Sequence, residues 1–204
     1  MTAPLGTAGA VARLLDAIEA EIVPLTRAGV ARGDKVFGAA ILRRDDLSTV
    51  VAATNRETEN PLFHGEISAI NAYYAMVAED GARRWPPEDS LFLSTHEPCT
   101  MCASAIAWGG YPEVVYLFSH EDSRDAFAIG HDLKILAALF GRGPGEYARE
   151  NAYFTARALP ALAAETGAAR PALEARIAAL RGVYGELSDA YQARKGASAN
   201  ILRL

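Results

Sequence analysis

Apolar residues at three- and four-residue steps mark the first element. Val11, Leu14, Leu15, Ile18, Ile22 and Leu25 share one face, which predicts a helix over residues 8–31, closed by "GDK". The period then changes from helical to extended. "VFGAAILRR" (36–44) and "TVVAATN" (49–55) read as strands, with "DDLS" as the hairpin turn between them. The polar "RETENP" leads into a helix over about 64–78, and "SLFLST" (90–95) is a short buried strand. A helix over 99–108 stops at Gly109-Gly110, "EVVYLF" (113–118) is a fourth strand, and "HDLKILAALFG" (131–141) is again helical. A hairpin followed by alternating helix and strand predicts an α/β layered domain around a mixed sheet.

Beyond "GRGPGE" (141–146) the chain becomes rich in Ala and reads as helical. That Gly-rich stretch lacks the Lys-Ser/Thr of a phosphate loop and reads as a turn. From residue 173, Leu173, Ile177, Leu180, Tyr184, Leu187 and Tyr191 alternate four and three apart. Such a stripe predicts packing on the core or on a second subunit rather than in a foreign groove. The chain therefore divides into a body, 1–150, and a helical C-terminal extension, 151–204, that packs on the body or on a neighbouring subunit.

Half of the 204 residues are apolar and 22% are charged, which suits one domain with a real core. No apolar run approaches the ~20 residues that span a bilayer. The first residues carry no basic leader, so the expectation is a cytoplasmic protein with no membrane partner. Net charge is −5, and residues 165–204 hold 6 basic against 4 acidic residues, leaving 14 against 21 in the body. A polyanion-binding domain carries a basic face, because displacing counterions from phosphates drives its affinity. An acidic body disfavours a nucleic-acid partner.

Both cysteines lie in "EPCTMC" (97–102). At this spacing in a cytosolic chain they point to metal binding or redox chemistry rather than to a disulfide framework. "LFHGEIS" (62–68) sets His64 and Glu66 two apart at a helix start. His64, Cys99 and Cys102 make three ligands, the number that a catalytic zinc site uses when it keeps a place for water; a structural site takes four. Pro98 puts the cysteines on the first turn of a helix, where the backbone dipole helps to hold thiolates. Glu66 is superfluous to a structural site, but beside the metal it is placed to move protons. Taken singly, His64 as a cap and C-x-x-C as a redox pair stay open. Taken together, the four residues point to zinc.

"HGEISAI" and "EPCTMCASAIAWGG" carry H-x-E followed by P-C-x-x-C, and over about residues 36–135 the chain resembles the cytidine/deoxycytidylate deaminase superfamily. The resemblance implies a three-layer α/β/α sandwich with a central mixed five-stranded sheet. It also implies hydrolytic deamination of an aromatic ring, with Zn2+ held by His64, Cys99 and Cys102 and with Glu66 as proton shuttle. The Glu97 carbonyl would take the amine, and the Gly65 N–H and Asn55 side chain the ring edge. Asn55 also reads as a loop cap. Trp108 and Phe118 are candidates to stack on the ring, with ordinary core packing as the other reading. Asp122 and Asp125 would read ring N–H groups or lie in a solvated loop. His96, His120 and His131 have no fixed place in the pattern and read as surface or supporting residues.

Within the superfamily "HGEIS" looks most like the cytosine-type free-base enzymes, and "SRDAFAIGHD" (123–132) is similar to a segment of bacterial guanine deaminases. The tRNA adenosine deaminases share most of the motif, usually with Ala where Gly65 stands and with a basic rim. The expected substrate is a free nucleobase or related amino-heterocycle of cytosine, guanine or s-triazine type, and the expected assembly is a homodimer. A tRNA adenosine deaminase and a catalytically silent zinc scaffold are the alternatives.

Overall fold

The first amphipathic stretch folds as two helices joined by a wider turn: α1 (Ala8–Ala17), a π turn (Ile18–Ile22) and α2 (Val23–Arg32). The sequence predicts one continuous helix here, and Pro24 explains the difference. Proline has no N–H for the carbonyl four residues back and its ring crowds that carbonyl; a widened turn ahead of it relieves both. Val23 N–H accordingly donates to the Ile18 carbonyl. Thr7 caps α1 by accepting the Ala10 N–H at 3.3 Å. Gly33, at φ 106°, ends α2 in the left-handed region that glycine adopts without strain.

The structure is a computed structural model that describes residues 4–80, 85–143 and 146–195. Five strands follow the helices: β1 (Gly38–Arg43), β2 (Thr49–Thr54), β3 (Ser90–His96), β4 (Glu113–Phe118) and β5 (Thr155–Ala158). They form one mixed sheet in the order β2-β1-β3-β4-β5. β1 is antiparallel to both β2 and β3, whereas β3, β4 and β5 run parallel. Between the strands lie α3 (Gly65–Asp80), α4 (Thr100–Gly109), α5 (His120–Asp125) and α6 (His131–Phe140), and after β5 come α7 (Leu159–Ala164) and α8 (Arg170–Arg194).

Two cores sandwich the sheet. On one face α1, α2, α7 and α8 bury Val11, Leu14, Ile18, Leu159 and Leu162 against Leu91, Leu93 and Val115. The stripe from Leu173 to Tyr191 lies in this core. On the other face α3 and α4 bury Ala69, Tyr73 and Ile106 against Ile41, Phe92 and Val114. Among the described residues no helix is long and apolar enough to cross a membrane.

Two elements depart from the sequence reading. β5 lies in the stretch read as helical, so the sheet is completed from beyond residue 150. Its Thr-Ala-Arg-Ala sequence leans towards helix by intrinsic propensity, but pairing with β4 at the sheet edge overrides that lean. α5 is a short helix that the hydrophobic period does not reveal; a capping box between Ser119 and Asp122 starts it. The ends of β3 and β4 and the starts of α3 and α4 converge on one spot, and the chemistry-bearing residues lie there.

Candidate active site

Two backbones meet closely at the base of the site. A Cβ on Gly65 would lie 2.8 Å from the Gly38 Cα, so α3 can begin this near β1 only with glycine at that position. Asn55, just past β2, fixes the approach: its Oδ1 accepts the Gly65 N–H at 2.6 Å and its amide donates to Glu57. Both groups are engaged in the fold, and neither Asn55 nor Gly65 lines the pocket described below. The His64 carbonyl accepts the Ser68 N–H at 2.8 Å as the first bond of α3, so His64 stands at the helix entry with Glu66 on the first turn.

Cys99 occupies the cap position of α4 in extended conformation, and its carbonyl accepts the Ala103 N–H at 2.8 Å. Cys102 follows on the first turn, fully buried. The ligand atoms of His64, Cys99 and Cys102 all lie within 4.8 Å of one another, with His64 Nδ1 3.6 Å from Cys99 Sγ. Two ligands on a tetrahedral ion with Zn–N of about 2.0 Å and Zn–S of about 2.3 Å are separated by about 3.6 Å, so the donor set fits zinc. The charges fit as well. Burial disfavours an imidazolium at His64, but the Cys99 sulfur beside it pushes its pKa up to about 9. A hydrogen bond from Cys102, and then His64, lower Cys99 to about 5, whereas burial and the Cys99 sulfur push Cys102 up. A shared cation settles these opposed demands.

Glu66 is buried beside the three, and its Oε1 accepts from the Ser94 hydroxyl of β3 at 3.0 Å. Burial, and then the negative Cys99 sulfur, raise its carboxyl to about 7. The small pocket over this group holds about 20 Å3 and is lined by Phe37, His96, Glu97, His120, Ile129 and Asp132 among others. Asp132, on the first turn of α6, is a pocket residue that the sequence reading passed over. Its position just after Gly130 at a helix start is the signal that could have drawn attention to it.

Glu97 is the brace of the cysteine loop. Its buried carboxylate accepts from the His120 backbone N–H (3.0 Å), the Tyr147 hydroxyl (2.9 Å) and the Arg149 Nε (2.7 Å). Burial alone would raise its pKa, but the Arg149 and His120 partners hold it below the usual carboxylate range. His120 Nε2 lies 3.2 Å from the Pro98 carbonyl, tying the same loop to α5.

The two aromatic candidates lie elsewhere. Trp108, at the far end of α4, is 92% exposed and faces a groove shared with Tyr153. Phe118 is fully buried against His96, Phe127 and Tyr184, as core packing. Asp122 caps α5 and pairs with Arg181, and Asp125 pairs with Arg124 on the surface. His131 lines a separate cleft with Lys35 and Lys195.

The chain is similar to several known proteins. The cytidine and deoxycytidylate deaminase zinc-binding region matches residues 19–118. The chain is 32% identical over 96 residues to the tRNA-specific adenosine deaminase of Rickettsia felis, covering 45% of this chain and 63% of that protein. It is also 32% identical over 91 residues to the guanine deaminase of Bacillus subtilis, covering 44% of this chain and 54% of that protein. The chain thus spans less than two thirds of the length of either relative. A solved structure of guanine deaminase from Nitrosomonas europaea aligns over 89% of this chain and 86% of its own at 21% identity, with a TM-score of 0.49.

Proposed function

The chain belongs to the cytidine/deoxycytidylate deaminase superfamily, and on that premise we propose that it deaminates a free nucleobase or related amino-heterocycle by hydrolysis, releasing ammonia. The observation that carries this reading is Glu66, a buried carboxylate standing beside a three-ligand metal group in one small pocket. A purely structural metal site has no use for it. Zinc held by His64, Cys99 and Cys102 supplies the Lewis acidity that readies water for attack near neutral pH. Glu66 takes the proton released as water adds to the ring carbon bearing the amine. It passes that proton to a ring nitrogen, then carries the proton of the added hydroxyl to the amine, which leaves as ammonia while the oxygen stays on the ring as a carbonyl.

The pocket walls support a flat ring with N–H groups: Phe37, Ile129 and Leu133 offer apolar faces and Asp132 offers a carboxylate. The guanine deaminase of Bacillus subtilis is a relative that acts on such a base. A second reading, tRNA adenosine deamination, is favoured by the match to the Rickettsia felis enzyme. We take the working unit to be a homodimer, with exposed Trp108 and Tyr153 beside α4 as an apolar face suited to a second copy.

The test is ammonia release from the zinc-loaded protein offered cytosine, guanine, adenine, isoguanine, ammeline, their nucleosides and tRNA, with Glu66→Ala as control. Release from a free base, lost in the control, supports the reading. Release from tRNA alone replaces it with the second. Silence across the panel leaves the zinc scaffold.

A further inference from the structure

His96, the last residue of β3, takes no part in the reaction described above, yet it lines the same pocket as Glu66 and the metal ligands. It is 3% exposed and sits among Phe37, Phe118, Phe127 and Tyr184, with ring centroids 4.6, 5.1, 5.2 and 5.5 Å away. Its two nitrogens are unequal. Nδ1 lies 3.0 Å from the Thr95 hydroxyl. That hydroxyl accepts the Gly38 N–H at 3.0 Å and gives its single hydrogen to the Gly38 carbonyl at 3.1 Å. Giving that hydrogen to Gly38 and the Nδ1 proton to the Thr95 oxygen is the arrangement that satisfies all three groups, and on it the ring proton is assigned to Nδ1. Nε2 is then a bare acceptor, and it is buried without a partner. Burial also keeps the ring neutral, lowering its pKa to about 3.

A buried acceptor with no donor is destabilising, and on a residue that lines a pocket it points to a ligand that brings the donor once it has entered. We infer that His96 Nε2 accepts a hydrogen bond from a ring N–H of the substrate, which makes His96 a specificity-determining residue for free heterocycles over their N-substituted forms. The inference rests on the base-deaminase reading above. A free base keeps an N–H where its nucleoside carries a sugar. A neutral acceptor held by an aromatic cage rewards that hydrogen and rejects its replacement, which brings no donor and needs more space. The aromatic cage explains why the acceptor stays neutral, and the Thr95–Gly38 contact explains why it is Nε2.

The test uses the zinc-loaded full chain as wild type, His96→Phe and His96→Gln, with guanine, cytosine, isoguanine and ammeline and a ring-N-methyl form of each. Ammonia release gives kcat/KM, and 15N spectra of the histidine ring report the proton on each nitrogen. The expected result is an unprotonated Nε2 in the free protein whose signal moves when a base that is turned over is added. Free base is preferred over its methyl form by about 10- to 100-fold. In His96→Phe that preference falls to within about 3-fold at unchanged zinc content, and His96→Gln, whose carbonyl oxygen can take the place of Nε2, restores part of it. A protonated Nε2 in the free protein overturns the inference, as does a full preference surviving in the Phe variant. Should that variant fail to fold, the 15N result on the wild type decides. Ammonia release with an unmoved Nε2 overturns the acceptor role alone. An Nε2 that responds to a base never turned over overturns the deaminase reading and upholds the acceptor.

Discussion

The two walls of the pocket are built differently. The wall that holds the metal ligands and Glu66 is the start of α3 and α4, where His64, Glu66 and Cys102 are 7%, 5% and 0% exposed. It is braced on every side: by Asn55 on Gly65, by Ser94 on Glu66, and by His120, Tyr147 and Arg149 on Glu97. The opposite wall is α6, which brings Asp132 and Leu133 to the pocket but buries only Leu136 and leaves Leu139 and Phe140 71% and 60% exposed. In the proposed reaction the braced wall is the one that positions the reacting groups, where a misplacement of about 1 Å can cost about 100-fold in rate. The α6 wall, which would admit the ring, is lightly held.

Substitutions in the braced wall are therefore expected to have the larger effects. The largest is Glu66→Gln, which should lower kcat by about 100- to 10,000-fold while zinc content, measured by metal analysis, stays at wild-type level. Loss of metal along with turnover would show that Glu66 serves binding instead. Next comes Cys102→Ser. It should abolish tight zinc binding and lower the melting temperature, and a chelator should reproduce that shift in the wild type but add nothing in the variant. Gly65→Ala sets a Cβ 2.8 Å from the Gly38 Cα, and denaturant unfolding should show a loss of about 1–3 kcal/mol.

Arg149→Ala probes the brace through pH. Glu97 has a depressed carboxyl pKa in the folded state, so its contribution to stability is present above the unfolded value and is lost as pH falls through the folded one. Without Arg149 the folded pKa rises. Acid unfolding should begin at a higher pH, and stability near neutrality should drop by about 1 kcal/mol, a figure kept small because the Arg149 side chain is 41% exposed. The smallest effect belongs to the other wall: Leu139→Ser should change stability by no more than about 0.5 kcal/mol. A loss of several kcal/mol there would end the contrast between the walls.

The chemistry of the braced wall was legible in the sequence because a metal demands specific residue types at short spacings. His64, Glu66, Cys99 and Cys102 stand out for that reason and come together in the structure. Asn55 and Gly65 were also marked, but spacing cannot tell that the amide oxygen of one and the N–H of the other satisfy each other. Trp108 and Phe118 show the opposite limit. An aromatic near an element's end has several directions open to it, and tertiary packing sends one to solvent and the other into the core. Asp132, His96, Tyr147 and Arg149 reach the site from separate elements with no motif to link them. The mixed sheet was readable from the hairpin and the alternating elements. β5 was not, because its pairing with β4 decides what its own residues leave undecided.

A cavity of about 20 Å3 is smaller than any aromatic ring, so in the proposed reaction the pocket has to open for the base to enter and again for the product to leave. In that reaction ammonia would be small enough to leave first, whereas the hydrolysed ring would wait for the pocket to open. Solvent friction on the α6 wall, rather than bond-making at the ring, would then pace the cycle. Added viscogen should slow steady-state turnover, while the first equivalent of ammonia should still appear as a rapid burst.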